Sequence, residues 1–311
     1  MDKKILITGA TGLIGKKIVY ELSKQSTFIK IISTDADKAR QIFKDQPRVQ
    51  AYNWSDFKNL SDLSELVGDV DAVINLAGVN VGESRWNNDF KNKIYHSRID
   101  TTKSIVDAIA VCKKRPECLI NASAVGIYGF RGDEDLDEDS GPGDDFLARV
   151  CIDWESEALK AAQFDVRVVT VRAGIVLEKN EGALKNFLLP FKFSIGTYMG
   201  SGKQWLPWIH IEDVAAMYIF ALENNKLYGA VNAVAPELVT NKEFVKTIGS
   251  IYKKNILLPV PEIALRIGVG EFAGNLVTGQ KVYSRKSSVL SFSYKYPELK
   301  MALKNLLNDT K

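Results

Sequence analysis

Residues Lys4 to Thr8 are almost wholly apolar, and Ile14, Ile18, Val19 and Leu22 follow at helical spacing. The pattern predicts a strand, a turn and a helix. The same alternation runs on. Phe28 to Ser33 reads as a second strand, Ala36 to Lys44 as a helix and Arg48 to Tyr52 as a third strand. Asp71 to Ala77 reads as a buried fourth strand leading to Gly78, and Asp89 to Cys112 as a long helix. Cys118 to Ser123 and Val166 to Val171 complete the strand set. Mostly apolar strands alternating with helices predict an α/β fold. The expectation is a Rossmann-type doubly wound parallel sheet, covered by helices on both faces through right-handed crossovers.

Two stretches break the alternation. Phe130 to Asp145 is crowded with Asp and Gly and carries Pro142, so it is neither a helix nor a central strand. It follows the fifth strand, at the sheet edge where open α/β folds bind ligands. A mobile acidic surface loop and a loop over a substrate site are both compatible with it. The second stretch, Gly196 to Trp208, carries Lys203, Trp205 and Trp208 among its glycines. Beyond Asn241 the pattern predicts short helices, one late strand near Ser291 to Tyr294 and a closing helix from Pro297 to Leu307. The expected division is a nucleotide-binding domain of residues 1–180 and 205–240. Residues 181–204 and 241–311 are expected to form a smaller, mostly helical substrate lobe.

Composition narrows the partners. Lys plus Arg total 41 and Asp plus Glu 38, a net charge of +3. No basic stripe accompanies that balance, so no nucleic-acid partner is expected. Cys112, Cys118 and Cys151 have neither metal-ligand nor disulfide spacing. They read as free buried thiols suited to a reducing cytoplasm, and no metal is expected. No apolar run reaches about 20 residues, so no membrane span is expected. The first strand begins at once, so no signal peptide is expected either.

The candidate chemistry begins at Gly9, Gly12 and Gly15. Gly9 allows the tight turn, Gly12 lets the backbone approach a pyrophosphate, and Gly15 lets the helix pack close. Thr8 and Thr11 are candidates for hydrogen bonds in the turn or to phosphate. Leu13 and Ile14 open the helix, whose free N–H groups and positive dipole end favour an anion. Asp35 lies 20 residues beyond Gly15, where an acid would bond the ribose 2′-OH of NAD. It is equally placed to cap the helix that begins near Ala36. Thr34 suits either cofactor, while Lys38 and Arg40 are candidate cations for NADP. Leu76, Ala77 and Gly78 end the fourth strand, either beside the adenosine half of the cofactor or as a plain turn. The cofactor is therefore NADP(H) or NAD(H), with the preference left open.

These residues resemble the extended short-chain dehydrogenase/reductases. More closely, the chain is similar to an atypical branch, the NAD-dependent epimerase/dehydratase-like proteins with a small C-terminal domain of unknown function. Thr8 to Gly15, Ile74 to Gly78, Arg85-Trp86, Ser97-Arg98 and Ser123 to Gly129 carry the likeness. So do Arg172 to Leu177, Gly200 to Trp205, Trp208 to Asp213 and Pro261 to Lys286. The resemblance places the C-terminal domain at about residues 257–305. It also exposes a loss. The parent family uses a Tyr and a Lys four residues later as acid/base pair. The matching helix here offers only Phe146 with Val150, or Leu147 with Cys151.

What the resemblance implies for chemistry rests on the remaining polar groups. Ser123 matches a serine that orients substrate, and Tyr128 is a candidate for the missing proton donor; strand termination and ring packing are their alternatives. Arg98 and Arg172 are candidate anion contacts or internal ion pairs. Trp205 is a candidate substrate platform, with packing between lobes as the alternative. His210 is a candidate substrate contact or a packed core histidine. The implied function is an NAD(P)-dependent epimerase or oxidoreductase acting on a small molecule, nucleotide sugars among the candidates. The alternative is a non-catalytic NADP(H) sensor. A monomer or a homodimer is expected.

Overall fold

The structure, a computed structural model, describes residues 2–254 and 256–308. Seven strands form the central sheet: β1 Lys4–Thr8, β2 Phe28–Ser33, β3 Val49–Asn53, β4 Ala72–Asn75, β5 Cys118–Ala124, β6 Arg167–Ala173 and β7 Gly229–Ala233. Their spatial order is β3-β2-β1-β4-β5-β6-β7, and every neighbouring pair is parallel. The order reverses between β1 and β4. A doubly wound sheet opens its ligand crevice there, beyond the carboxyl ends of the strands.

Alternation along each strand feeds two cores. Ile5 and Ile7 of β1 join one cluster while Leu6 between them joins the other; Ile29 and Ile31 of β2 are split in the same way from Ile32. The first cluster takes Ile18, Val19 and Leu22 from α1 (Leu13–Leu22). The second takes Leu63, Leu66 and Val67 from α3 (Leu60–Gly68), which follows α2 (Ala36–Ile42). It also takes Ile105, Val106 and Ile109 from α4 (Asn88–Val111). Each fully buried aliphatic side chain of this kind stabilises the fold by roughly 1.5–3 kcal/mol.

After α5 (Phe146–Leu159) come α6 (Gly182–Leu188), α7 (Ile211–Glu223) and α8 (Asn241–Tyr252). The C-terminal stretch adds α9 (Glu262–Val269), α10 (Ala273–Val277), α11 (Arg285–Val289) and α12 (Leu299–Asn308). Phe187, Phe244, Ile248 and Leu303 share the first cluster with the sheet, so one continuous core spans both parts.

No strand forms at Ser291 to Tyr294, contrary to the sequence expectation. The backbone there is held by other groups. Phe292 N–H donates to Ser287 O at 2.8 Å, and Lys295 and Tyr296 N–H donate to the Asp213 carboxylate at 2.7 and 3.0 Å. Phe292 packs edge-on against Phe220 and Tyr294. The apolar pattern there comes from aromatic packing in a turn.

Candidate functional site

The glycine turn closes β1 onto β4. Gly9 has φ of 67°, and a Cβ there would lie 2.6 Å from Leu76 O. A Cβ at Gly15 would lie 2.5 Å from Gly9 O. Only glycine fits either place. Gly12 caps α1 without a side-chain hydrogen bond, and the first turn of α1, with Leu13 and Ile14, holds no acid. An uncapped, uncountered helix N-terminus at the switch point suits a pyrophosphate. Thr11 is half-buried in the turn. Thr8 instead points along the sheet: its hydroxyl donates to Asn75 Oδ1 at 2.5 Å.

That bond starts a buried polar chain which sequence reasoning missed. Asn75 Nδ2 donates to Asn121 Oδ1 at 2.6 Å and to Thr102 Oγ1 at 2.8 Å. Trp154 Nε1 donates to the same Thr102 oxygen at 3.0 Å. The signal was there: Asn75 follows an apolar run at the end of β4, and Asn121 follows the apolar Cys118-Leu119-Ile120 of β5.

At the end of β2, Thr34 and Asp35 are exposed. Asp35 Oδ1 accepts the Lys38 amide at 2.9 Å, so it caps α2. Arg40 is committed to Asp37 and to Ala51 O. Lys38 has no ion-pair partner among the described residues. Beyond β4, Leu76 and Ala77 face Gly9, and Gly78 packs under Arg98. A Cβ at Gly78 would stand 3.0 Å from Arg98 Cζ.

α5 faces the carboxyl edge with Leu147 and Cys151. Leu147 Cβ lies 3.6 Å from a Cβ built at Gly126, and the Cys151 thiol interacts with Ser123 and the Ala124 backbone. Phe146 and Val150 face α4 and Trp86. Of the two candidate registers, Leu147 with Cys151 is the one that faces the carboxyl edge. Burial, and after it the Glu155 carboxylate, pushes the Cys151 thiol up to about 12.

One turn on, Glu155 gathers a buried network. Ser123 Oγ donates to Glu155 Oε1 at 2.6 Å. Arg172 grips both Glu155 oxygens, through Nε and Nη2, at 2.8 Å each. Arg172 Nη1 donates to the Tyr128 hydroxyl at 2.9 Å, and Tyr128 donates to Asn232 Oδ1 at 2.7 Å. Burial raises Tyr128 to about 12 and leaves it no exposed surface. Burial alone would lower the Arg172 pKa; the Glu155 carboxylate more than reverses that. Asn232 passes the network to the tail. Its Nδ2 donates to Tyr283 O at 2.9 Å, and its N–H donates to Glu138 Oε1 at 3.0 Å.

The acidic stretch is anchored. Glu138 also accepts from Ser284 Oγ at 2.7 Å and from the Arg285 N–H at 3.0 Å. Asp135 and Leu136 pair in parallel with Lys281 and Val282. Trp205 donates its indole N–H to Asp133 at 2.7 Å and lies under the Lys281 ammonium. His210 is buried between α7 and α12. Its Nδ1 accepts the Glu212 N–H at 3.1 Å, Nε2 bonds Asn305 Oδ1 at 3.1 Å, and the ring lies 3.9 Å from that of Tyr296. Burial lowers it to about 4, so the ring is neutral at ordinary pH. Nearer the site's mouth, the half-buried Trp86 ring packs between Phe146 and Phe272.

A parallel switch-point sheet and an uncapped glycine turn define a nucleotide-binding α/β protein. The profile of the NAD-dependent epimerase/dehydratase family matches residues 5–233, and that of a domain of unknown function, DUF1731, matches residues 260–306. The chain belongs to the NAD-dependent epimerase/dehydratase family. It is 38% identical to the chloroplastic epimerase family protein SDR39U1 homolog of Arabidopsis thaliana, over 97% of this chain and 86% of that one. It is 37% identical to the epimerase family protein YfhF of Bacillus subtilis, over 99% of each. The crystal structure of human SDR39U1 with NADPH superposes with a TM-score of 0.87 at 32% identity, covering 98% of this chain and 99% of that one. A Bacillus cereus UDP-glucuronic acid 4-epimerase shares the fold, with a TM-score of 0.76 at 20% identity over 97% of this chain and 96% of that one.

Proposed function

We propose that the chain is an NADP(H)-binding protein that keeps the cofactor half of the epimerase fold without its proton-transfer half. The closed network around Tyr128 carries this reading. Ser123 donates its hydrogen bond to Glu155, Tyr128 donates its own to Asn232, and Arg172 donates to both Glu155 and the Tyr128 hydroxyl. A phenol with no exposed surface and both hydrogen-bonding roles used does not donate to substrate. Leu147 and Cys151 supply no acid at ordinary pH. The protein then acts as a holder or sensor of the dinucleotide, with residues 181–204 and 241–311 as the responsive lobe. A reducing compartment suits its free, buried thiols.

The glycine turn fits the dinucleotide by its own geometry, since Gly9 and Gly15 leave no room for side chains and α1 carries no cap. Bound NADP(H) would supply or accept a hydride at the nicotinamide. The chain's part is to seat the pyrophosphate on α1, with Lys38 the uncommitted cation near the adenosine ribose. NADPH in the human relative supports the phosphorylated cofactor.

The Trp86–Phe146–Phe272 cluster favours a second reading, an oxidoreductase for a flat acceptor that takes its proton from water. A turnover assay separates the two. The first predicts NADPH binding without consumption across nucleotide sugars, quinones and flavins. Substrate-dependent NADPH oxidation, lost in Tyr128→Phe, overturns it and restores Tyr128 as the acid.

A further inference from the structure

Replacing a Tyr–Lys pair by Leu147 and Cys151 removes a positive charge as well as a proton donor. A cation approaches the same helix from α4. The Arg98 guanidinium lies 5.1 Å over the ring of Trp154, which is one turn beyond Cys151 on α5. On its other side Gly78 has no side chain, and a Cβ there would meet Cζ at 3.0 Å. Nη1 donates to Ile94 O and Nη2 to Val79 O, each at 3.0 Å. These two bonds fix the plane of the fork between α4 and the segment after β4. They leave the Nε–H and the second hydrogen of each terminal nitrogen without an acceptor among the described residues. No carboxylate pairs with the group either. Its neighbour in the acid/base register, Cys151, is a neutral thiol.

A half-buried guanidinium with unused donors and no counter-ion can exchange water for a ligand acceptor. Polar groups left open at a crevice are where ligand atoms bind. The fork is flanked by Gly78 at the switch point and by Trp154, one turn along α5 from Cys151. A dinucleotide running from α1 across β4 toward β5 brings its second ribose to this flank. A planar fork can take two vicinal hydroxyl oxygens together, which a single ammonium cannot do in the same way.

We propose that Arg98 is a cofactor-positioning residue that takes over, from α4, the place of the lysine missing on α5, holding the ribose hydroxyls next to the nicotinamide. Gly78 is then glycine because the guanidinium lies against its Cα. Cys151 is small because the cation beside it arrives from another helix. This assignment rests on the dinucleotide reading above.

Two ligands test it. NADPH carries the second ribose; adenosine 2′,5′-bisphosphate carries only the adenosine end. Calorimetric titration of both is compared in the full-length wild type, Arg98→Met and Arg98→Lys. Arg98→Met should bind NADPH about ten- to a hundredfold more weakly, the cost of a charge-assisted hydrogen bond. Its affinity for the bisphosphate should be unchanged. If Arg98→Met does not hold the bisphosphate, Arg98→Lys decides, with NADPH affinity falling relative to the bisphosphate. Adding Cys151→Lys to Arg98→Met should restore part of the NADPH affinity. Unchanged NADPH affinity, or equal losses for both ligands in Arg98→Lys, overturns the role of Arg98. A wild type that binds neither ligand overturns the dinucleotide reading itself.

Discussion

The Tyr128 phenol donates to Asn232 Oδ1 at 2.7 Å, joining a residue of the carboxyl edge to the last strand of the sheet across 104 positions of sequence. Arg172 donates to the same phenol from the other side. Tyr128→Phe should leave both partners buried with an unmet bond. The expected loss is about 1–3 kcal/mol of stability, read as a lower melting temperature. NADPH affinity should be unchanged.

Glu155 and Arg172 form a buried, bidentate ion pair, and Ser123 uses one of the same carboxylate oxygens. Arg172→Met leaves the Glu155 charge without its partner and should cost about 3–5 kcal/mol. Chemical denaturation measures this directly. Ser123→Ala removes one donor to the buried carboxylate and should cost about 1.5–3 kcal/mol. A larger loss from Ser123→Ala than from Arg172→Met would contradict the ranking.

Stability should depend on pH through His210. Its folded pKa is depressed to about 4 from an ordinary 6.5. The unfolded chain therefore binds the proton more readily between those values. The contribution is complete above pH 6.5 and is lost as pH falls toward 4, by about 3 kcal/mol in all. Asp213, raised by burial, acts in the opposite sense on the acid side. Melting temperatures of wild type and His210→Gln between pH 4 and 8 separate the two. The variant should lose most of the downward slope below pH 6.5.

The glycine turn separates folding from binding. A Cβ at Gly12 would lie 3.2 Å from Gly9 O, a contact that small shifts relieve. At Gly15 it would lie 2.5 Å from the same atom. Gly12→Ala should fold and bind NADPH weakly, because the methyl stands where the pyrophosphate approaches. Gly15→Ala should damage the turn itself, with a clear drop in melting temperature. Calorimetry and thermal denaturation on the two variants give the comparison.

The sheet was legible because its strands are short apolar runs, and its turn because glycine spacing reports backbone contacts that side chains would block. The loss of the Tyr–Lys pair was legible too, but not its register. Phe146 and Leu147 are adjacent, and only the packing of Phe146 on Trp86 and of Leu147 near Gly126 separates them. β7 at Gly229–Ala233 went unread because its apolar run is short and interrupted by Asn232. Glu138, Glu155 and Asn232 were invisible as a set. Their partners lie between 17 and 148 positions away, and a buried carboxylate looks like an exposed one until its donors are placed. The acidic stretch shows the same limit. Its composition suggests a mobile loop, yet the tail supplies the backbone and side-chain donors that fasten it.

The most direct measurement is a crystal structure of the full chain with NADPH. The account predicts the pyrophosphate on the α1 N-terminus. Leu147 and Cys151 should be the α5 side chains nearest the nicotinamide, with the Tyr128 hydroxyl still on Asn232. Tyr128, or another side chain able to give up a proton near neutral pH, within about 3.5 Å of the nicotinamide C4 would contradict it.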